Sequence, residues 1–384
     1  MEQHQPSAQD AIALTKQLIT IPSVSDNETK ILDFVAKWMD QAGFDQVITK
    51  ERFTAGLIRS KSKASQPASK ALLLCGHIDT VPAGDESAWQ SSPWQPRTKG
   101  DRLYGLGASD MKSGVAIQMI AGQAYLTERR DDLDLWCVAV AHEEVDGAGS
   151  ADFTKYFAQN TSYDQVSCII AEPTDQRIEL GHRGNRFVQL LFEGKSGHAS
   201  QESAYSISSL PPLITFMNDL IRVRLELHRT YYHPALGEPT FTPTRIEPAG
   251  VYSSNKTASV SYIAVDIRTT PELELDQAFD SWLDQLAGKY HFSWRYAADP
   301  VPSALCDQNA PILRTMQHIL PEASTAVSYG ATDQAFFQAI GAQTVIYGPG
   351  DFDQAHAINE SISLARIKDT YRVYRQLIRQ IYTS

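Results

Sequence analysis

Histidines and carboxylates gather in this sequence directly after apolar, strand-like runs. Ala71-Leu72-Leu73-Leu74-Cys75 leads into Gly76-His77-Ile78-Asp79, and Leu103-Tyr104-Gly105-Leu106-Gly107 leads into Asp110-Met111-Lys112. Leu135-Trp136-Cys137-Val138-Ala139-Val140 leads into Glu143-Glu144, and Val166-Ser167-Cys168-Ile169-Ile170 into Glu172-Pro173-Thr174. Thr344-Val345-Ile346-Tyr347 leads into Gly350 and then His356. In an α/β sheet, ligands bind beyond the carboxyl ends of the strands. Hard carboxylate oxygens and neutral imidazoles converging there suit zinc or a similar divalent ion. Together they predict a two-metal hydrolytic site.

Each motif alone also admits a plainer reading. His77 and Asp79, two apart, share a face. They read as a metal-binding His with an orienting Asp behind it, or as a partly buried His beside a turn Asp. Asp110 either caps a helix beginning near Ser113 or bridges two ions, one oxygen on each. The Gly105-x-Gly107 before it does not complete a dinucleotide fingerprint. Asp110 replaces the third glycine, and a carboxylate there repels a pyrophosphate. Glu143 and Glu144 point oppositely in a regular strand, so one can reach a metal while the other faces substrate. They also read as acids at the N-terminus of a helix covering 152–157. Glu172 is a ligand or a loop carboxylate; His356 is a ligand or a surface histidine. The order and spacing of the whole set carry the metal reading.

The elements that must position these groups follow from periodicity. Residues 8–19 and 28–43 read as amphipathic helices, the second stopping at Gly43. A polar loop occupies 61–67. From 71 to 175, strand and helix signals alternate, which predicts an α/β fold with a mainly parallel sheet covered by helices. The texture changes near Glu179. A strand at 187–192 feeds Gly194-Lys195-Ser196-Gly197-His198, a helix covers 210–227, and a strand at 259–268 is closed by Pro271. A helix at 275–286 and a strand at 291–296 follow. The strand-helix-strand-strand-helix-strand order predicts an inserted ferredoxin-like α+β domain of about a hundred residues. The expected division is 1–181, 182–297 and 298–384, with the first and last segments forming one domain.

Bulk composition narrows the partners. The 384 residues carry a formal net charge of −11, which argues against nucleic acid or an anionic membrane surface. No apolar run approaches the roughly 18 residues that span a bilayer. The four cysteines, Cys75, Cys137, Cys168 and Cys306, form no C-x-x-C pair, which leaves no thiolate zinc or redox motif. Met1-Glu2-Gln3-His4-Gln5-Pro6 has no basic stretch leading into an apolar one, so a cytoplasmic location is expected.

Several stretches together resemble the acetylornithine deacetylase / succinyl-diaminopimelate desuccinylase / carboxypeptidase G family of co-catalytic zinc hydrolases. They are Gly76-His77-Ile78-Asp79-Thr80-Val81-Pro82, Tyr104 to Gly114, Glu143-Glu144, Glu172-Pro173-Thr174, Gly197-His198-Ala199 and the Asn359-Glu360 after His356. The resemblance covers nearly the whole chain, in order. It implies two zinc ions, with cobalt or manganese as substitutes: His77 and Glu172 complete one site, Glu144 and His356 the other, and Asp110 bridges. It implies that Asp79 orients His77 and that Glu143 is the general base. The inserted domain would act as a lid and make a homodimer, with His198 entering the partner's active site. Arg183, Asn255 and Arg268 match the family's carboxylate-binding set, and Thr332 stands in a loop resembling that of the desuccinylases. That loop, Tyr329-Gly330-Ala331-Thr332-Asp333, departs from the family by its Ala331. The implied substrate is a small N-acyl amino acid or a dipeptide. The stretch around Gly348-Pro349-Gly350 and Gln354-Ala355-His356 looks most like acetylornithine deacetylases, which implies a place in arginine biosynthesis.

Overall fold

The first apolar stripe becomes the helix Ala8–Ile19, whose start is tied by the Ser7 N–H donating to the Asp10 carboxylate at 2.8 Å. The second becomes Thr29–Ala42 and ends where Gly43 takes a left-handed φ of +90°. The structure, a computed structural model, describes residues 5–61, 68–248 and 253–383; the expected loop at 61–67 lies, beyond Lys61, outside the described residues.

The chain divides into two compact units: 1–181 with 305–328 and 332–384, and 182–304 with 329–331. In the first, four neighbouring strands run parallel in the order Leu133–Val140, Lys70–His77, Gln165–Pro173 and Gln343–Gly348. Phe53–Ile58 and Gln46–Thr49 extend this sheet antiparallel on one side. The fold is α/β with a largely parallel central sheet. Leu133–Val140 is buried at every position, as expected for a strand covered on both faces. One face packs on the helix Lys112–Tyr125, through Val115, Ile117 and Ile120. The other packs on the helix Ala148–Asn160, through Phe153 and Phe157. Register brings the carboxyl ends level, since His77 lies opposite Val140 and Gly348 opposite Pro173.

Two local expectations are corrected here. The run before Asp110 does not join the main sheet. Arg102–Tyr104 is a three-residue strand paired with Arg97–Lys99 and with the distant Ser361–Ser363 in a separate small sheet. The helix after Asp110 starts at Lys112 with Met111 in the capping position, so Asp110 is not its cap.

The second unit carries a sheet in the order Thr240–Pro248, Val260–Thr269, Gly184–Glu193, Phe292–Tyr296, antiparallel at each pairing. With the helices Leu210–Thr230 and Ala278–Tyr290 the chain order is strand-helix-strand-strand-helix-strand. Thr240–Pro248 is the strand that composition hides: Pro243 and Pro248 are tolerated because it lies at an edge. The helix expected from 275 begins instead at Ala278, after Asp276 and Gln277 pass through left-handed φ values of +49° and +61°. The core is aromatic, with Phe216 edge-on to Phe241, Tyr290 and Phe292.

Candidate active site

His77 ends its strand with 1% of its side chain exposed. Its Nδ1 lies 3.0 Å from the Asp79 carbonyl oxygen. A carbonyl only accepts, so Nδ1 donates, and Nε2 is the ring nitrogen that faces the carboxylates. Nε2 lies 3.1 Å from Asp110 Oδ1 and 3.7 Å from Glu172 Oε1. The other oxygen of Asp110, Oδ2, lies 3.7 Å from His356 Nε2, and that nitrogen is 2.9 Å from Glu144 Oε2. Asp110 thus belongs to two donor sets at once: His77, Asp110, Glu172 and Asp110, Glu144, His356, with the ligand atoms of each set within 4.8 Å of one another.

Asp79 is fully buried and does more than sit behind His77. Its carboxylate is 3.6 Å from His77 Nδ1, while it accepts the Ser25 hydroxyl at 2.8 Å and the backbone N–H groups of Glu143 and Glu144 at 3.2 Å each. Burial works against its charge, but the hydrogen bonds from His77, Ser25 and the Glu144 N–H hold its pKa below the ordinary value. Glu143 stands outside both donor sets. Its pKa is pushed well up by burial and by Glu172.

The donor sets fit a pair of divalent cations. Burial pushes Glu172 up to about 8, and its Oε1 has no hydrogen-bond partner among the described residues. Burial also works against a charged His77, but Glu172, Asp110 and Asp79 outweigh it and raise the imidazole well above its usual value. Its bond to Glu144 lifts His356 to about 9. Each shift reflects a cluster short of positive charge, which bound cations would supply in place of protons.

Among the residues that pattern reading missed, Ser25 has no local signal at all. Glu360, named above only within the resemblance and given no role there, is 1% exposed and accepts N–H groups from the turn that carries Asp110. Asp333 is 1% exposed with neither carboxylate oxygen hydrogen-bonded among the described residues, and burial pushes it up to about 7. Its position next to Thr332 was the available clue. Thr332 is buried, and its hydroxyl accepts the Gln334 N–H at 3.3 Å.

The remaining named residues lie in the second unit. Arg268 pairs with Asp266 through Nε and Nη2, both at 2.9 Å. Arg183 donates to the Glu238 carbonyl at 2.7 Å, and its pKa is lowered by burial and by Arg268. Asn255 and His198 are exposed, and the Ser200 N–H donates to His198 Nδ1 at 3.3 Å.

Paired donor sets of this kind suit metal-assisted hydrolysis. Residues 73–380 match peptidase family M20/M25/M40, and the chain belongs to that family, whose members are metal-dependent. It is a hydrolase acting on amide bonds. It is 30% identical over 388 residues to the acetylornithine deacetylase of Proteus mirabilis, covering 96% of this chain and 95% of that protein. It is 28% identical over 382 residues to that of Edwardsiella ictaluri, covering 96% of each. Among solved structures, the M20 family metallo-carboxypeptidase of Sulfolobus solfataricus superposes with a TM-score of 0.75 at 16% identity, covering 97% of this chain and 99% of that one. Among the described residues, no helix is long and apolar enough to cross a membrane.

Proposed function

We propose that this hydrolase is a dinuclear zinc deacylase that removes the acyl group from an N-acyl amino acid, in the manner of an acetylornithine deacetylase. The observation that carries this reading is the division of Asp110, one oxygen toward His77 and the other toward His356. His77, Asp110 and Glu172 would hold one ion, and Asp110, Glu144 and His356 the other. Bound cations supply the positive charge that polarises an amide carbonyl and acidifies water. Glu143 lies outside both sets and is the group left to take a proton from the attacking water and return it to the leaving amine. His198 of the partner subunit would stabilise the oxyanion. Arg268, with Arg183, Asn255 and Thr332, would bind the substrate's polar groups. The naming of the full-length relatives favours the acetyl group and ornithine, and with them arginine biosynthesis. Four buried, unpaired cysteines favour a reducing cytoplasm.

The test is a screen of N-acetyl, N-succinyl and N-formyl amino acids with dipeptides, on zinc-loaded protein of measured metal content. Acetylornithine turnover with two equivalents of metal is the expected result. Preference for succinyl substrates or dipeptides would refute the substrate, and uptake of a single equivalent would refute the paired site.

A further inference from the structure

His356 and Asp110 are 246 positions apart in sequence, yet the second donor set requires them together, and one side chain between them has no assigned part. Glu360 is 1% exposed and carries its carboxylate into the turn before the helix Lys112–Tyr125. Oε2 accepts the Gly107 N–H at 2.7 Å; Oε1 accepts those of Ser109 at 2.6 Å and of Asp110 itself at 3.0 Å. The Glu360 carbonyl takes a fourth N–H, from Gly105, at 3.1 Å. Successive N–H groups converging on one acceptor group form a nest, and here the acceptor is a carboxyl group of the protein itself.

The same two segments are joined again on either side. Ser361–Ser363 pairs with Arg102–Tyr104. Ser109 Oγ receives the Asp351 N–H at 3.0 Å and lies 3.2 Å from the Asp351 carbonyl. Gly350 permits this approach, since a Cβ there would lie 2.5 Å from the Ser109 carbonyl oxygen.

We infer that Glu360 is a positioning residue: it fixes the turn that aims Asp110, and so sets the affinity of both donor sets together. The inference rests on the metal reading above. Its signature follows from the sharing of Asp110. Loss of a ligand unique to one set, such as Glu172, weakens one ion. Loss of Glu360 weakens both in parallel, although it touches neither.

The test uses full-length protein stripped of metal and reloaded with zinc against a competing chelator, with circular dichroism and thermal unfolding of the metal-free forms alongside. Glu360→Gln keeps the volume and one accepting oxygen but turns an amide N–H₂ toward an N–H donor. The expected result is a loss of about 10- to 100-fold in affinity at both equivalents, the range found when the groups that orient ligands are removed. Glu360→Ala should lose at least as much where it folds; Glu360→Gln carries the test where it does not. Asp175→Asn is the control. Asp175 accepts the Phe352 N–H at 3.1 Å in the same loop as His356 and should bind zinc as the parent does when replaced. Parent-like affinity at both equivalents in folded Glu360→Gln, or weakening at one only, overturns the inference alone. A parent that does not take up two equivalents overturns the metal reading and this inference with it.

Discussion

The Asp79 carboxylate receives the backbone N–H of Glu143 at 3.2 Å, across a sequence separation of 64. Its other oxygen receives the N–H of Glu144 at 3.2 Å. One buried acid thereby fixes the turn that presents both the proposed base and a proposed ligand, while its own carbonyl accepts from His77. Asp79→Asn replaces an acceptor by an amide N–H₂ that opposes one of those donors. Zinc affinity at the Glu144 set and turnover should both fall, by about 10- to 100-fold. Parent-like zinc affinity in Asp79→Asn, measured against a competing chelator, would show that the turn holds without this carboxylate.

Adjacent in sequence, Glu143 and Glu144 separate in placement, and we propose that they separate in role. Glu144 lies 2.9 Å from His356 Nε2, whereas Glu143 belongs to neither donor set. Glu143→Ala should abolish turnover with metal retained, since a general base is worth about 10²–10⁴ in rate. Glu144→Ala should lose metal. Elemental analysis beside kcat decides the matter, and equal metal loss in both variants would defeat the division.

The strands and the order of the chemical groups were legible because each carboxylate or histidine follows an apolar run, and apolar runs of that length are read by periodicity. His77 and Glu172 could be placed at sheet ends for that reason. The small sheet pairing Arg102–Tyr104 with Ser361–Ser363 could not, since three-residue strands carry no periodicity and their pairing spans most of the chain. The grip of Asp79 on Glu143, and of Glu360 on Asp110, was hidden for a related cause: the acceptor is a side chain, but the donors are backbone N–H groups, which every residue has. In the second unit, Arg268 matched a carboxylate-binding pattern, while the structure shows it paired with Asp266. A pattern of residue types gives the guanidinium but not the neighbouring carboxylate that it also pairs with.

Stability should depend on pH through Glu179, far in kind from the metal cluster. This side chain is 5% exposed, and burial pushes its carboxyl from 4.5 up to about 7, against the pull of Arg177 at 3.9 Å. A raised pKa means the folded state prefers the protonated acid. The stability it contributes is complete below pH 4.5 and is lost as pH rises through 7. Glu179→Gln cannot ionise. It should therefore unfold at higher temperature than the parent at pH 8, by about 1–3 kcal/mol in stability, and the gain should vanish by pH 4.5. Thermal unfolding of both proteins across that range measures the difference. A gain that is constant with pH would point to packing instead of ionisation.

The last prediction concerns His198 and the proposed dimer. His198 is exposed in the second unit, on the segment bridged to Lys256. The Ser200 N–H donates to its Nδ1 at 3.3 Å, and a backbone N–H can only donate. Nδ1 is therefore the acceptor, and the proton of a neutral ring resides on Nε2, ready to be given to an oxyanion. If it serves a partner's site, its removal should cost about 10²–10³ in rate. His198→Ala and Glu143→Ala proteins would each be inactive alone. In a mixed dimer, one site has its own Glu143 and receives the partner's His198, while the other lacks both. Subunit exchange between the two variants should therefore restore activity, up to the level set by that one intact site. Continued inactivity after exchange is verified, or full activity of the parent diluted to a monomer, would exclude action in trans.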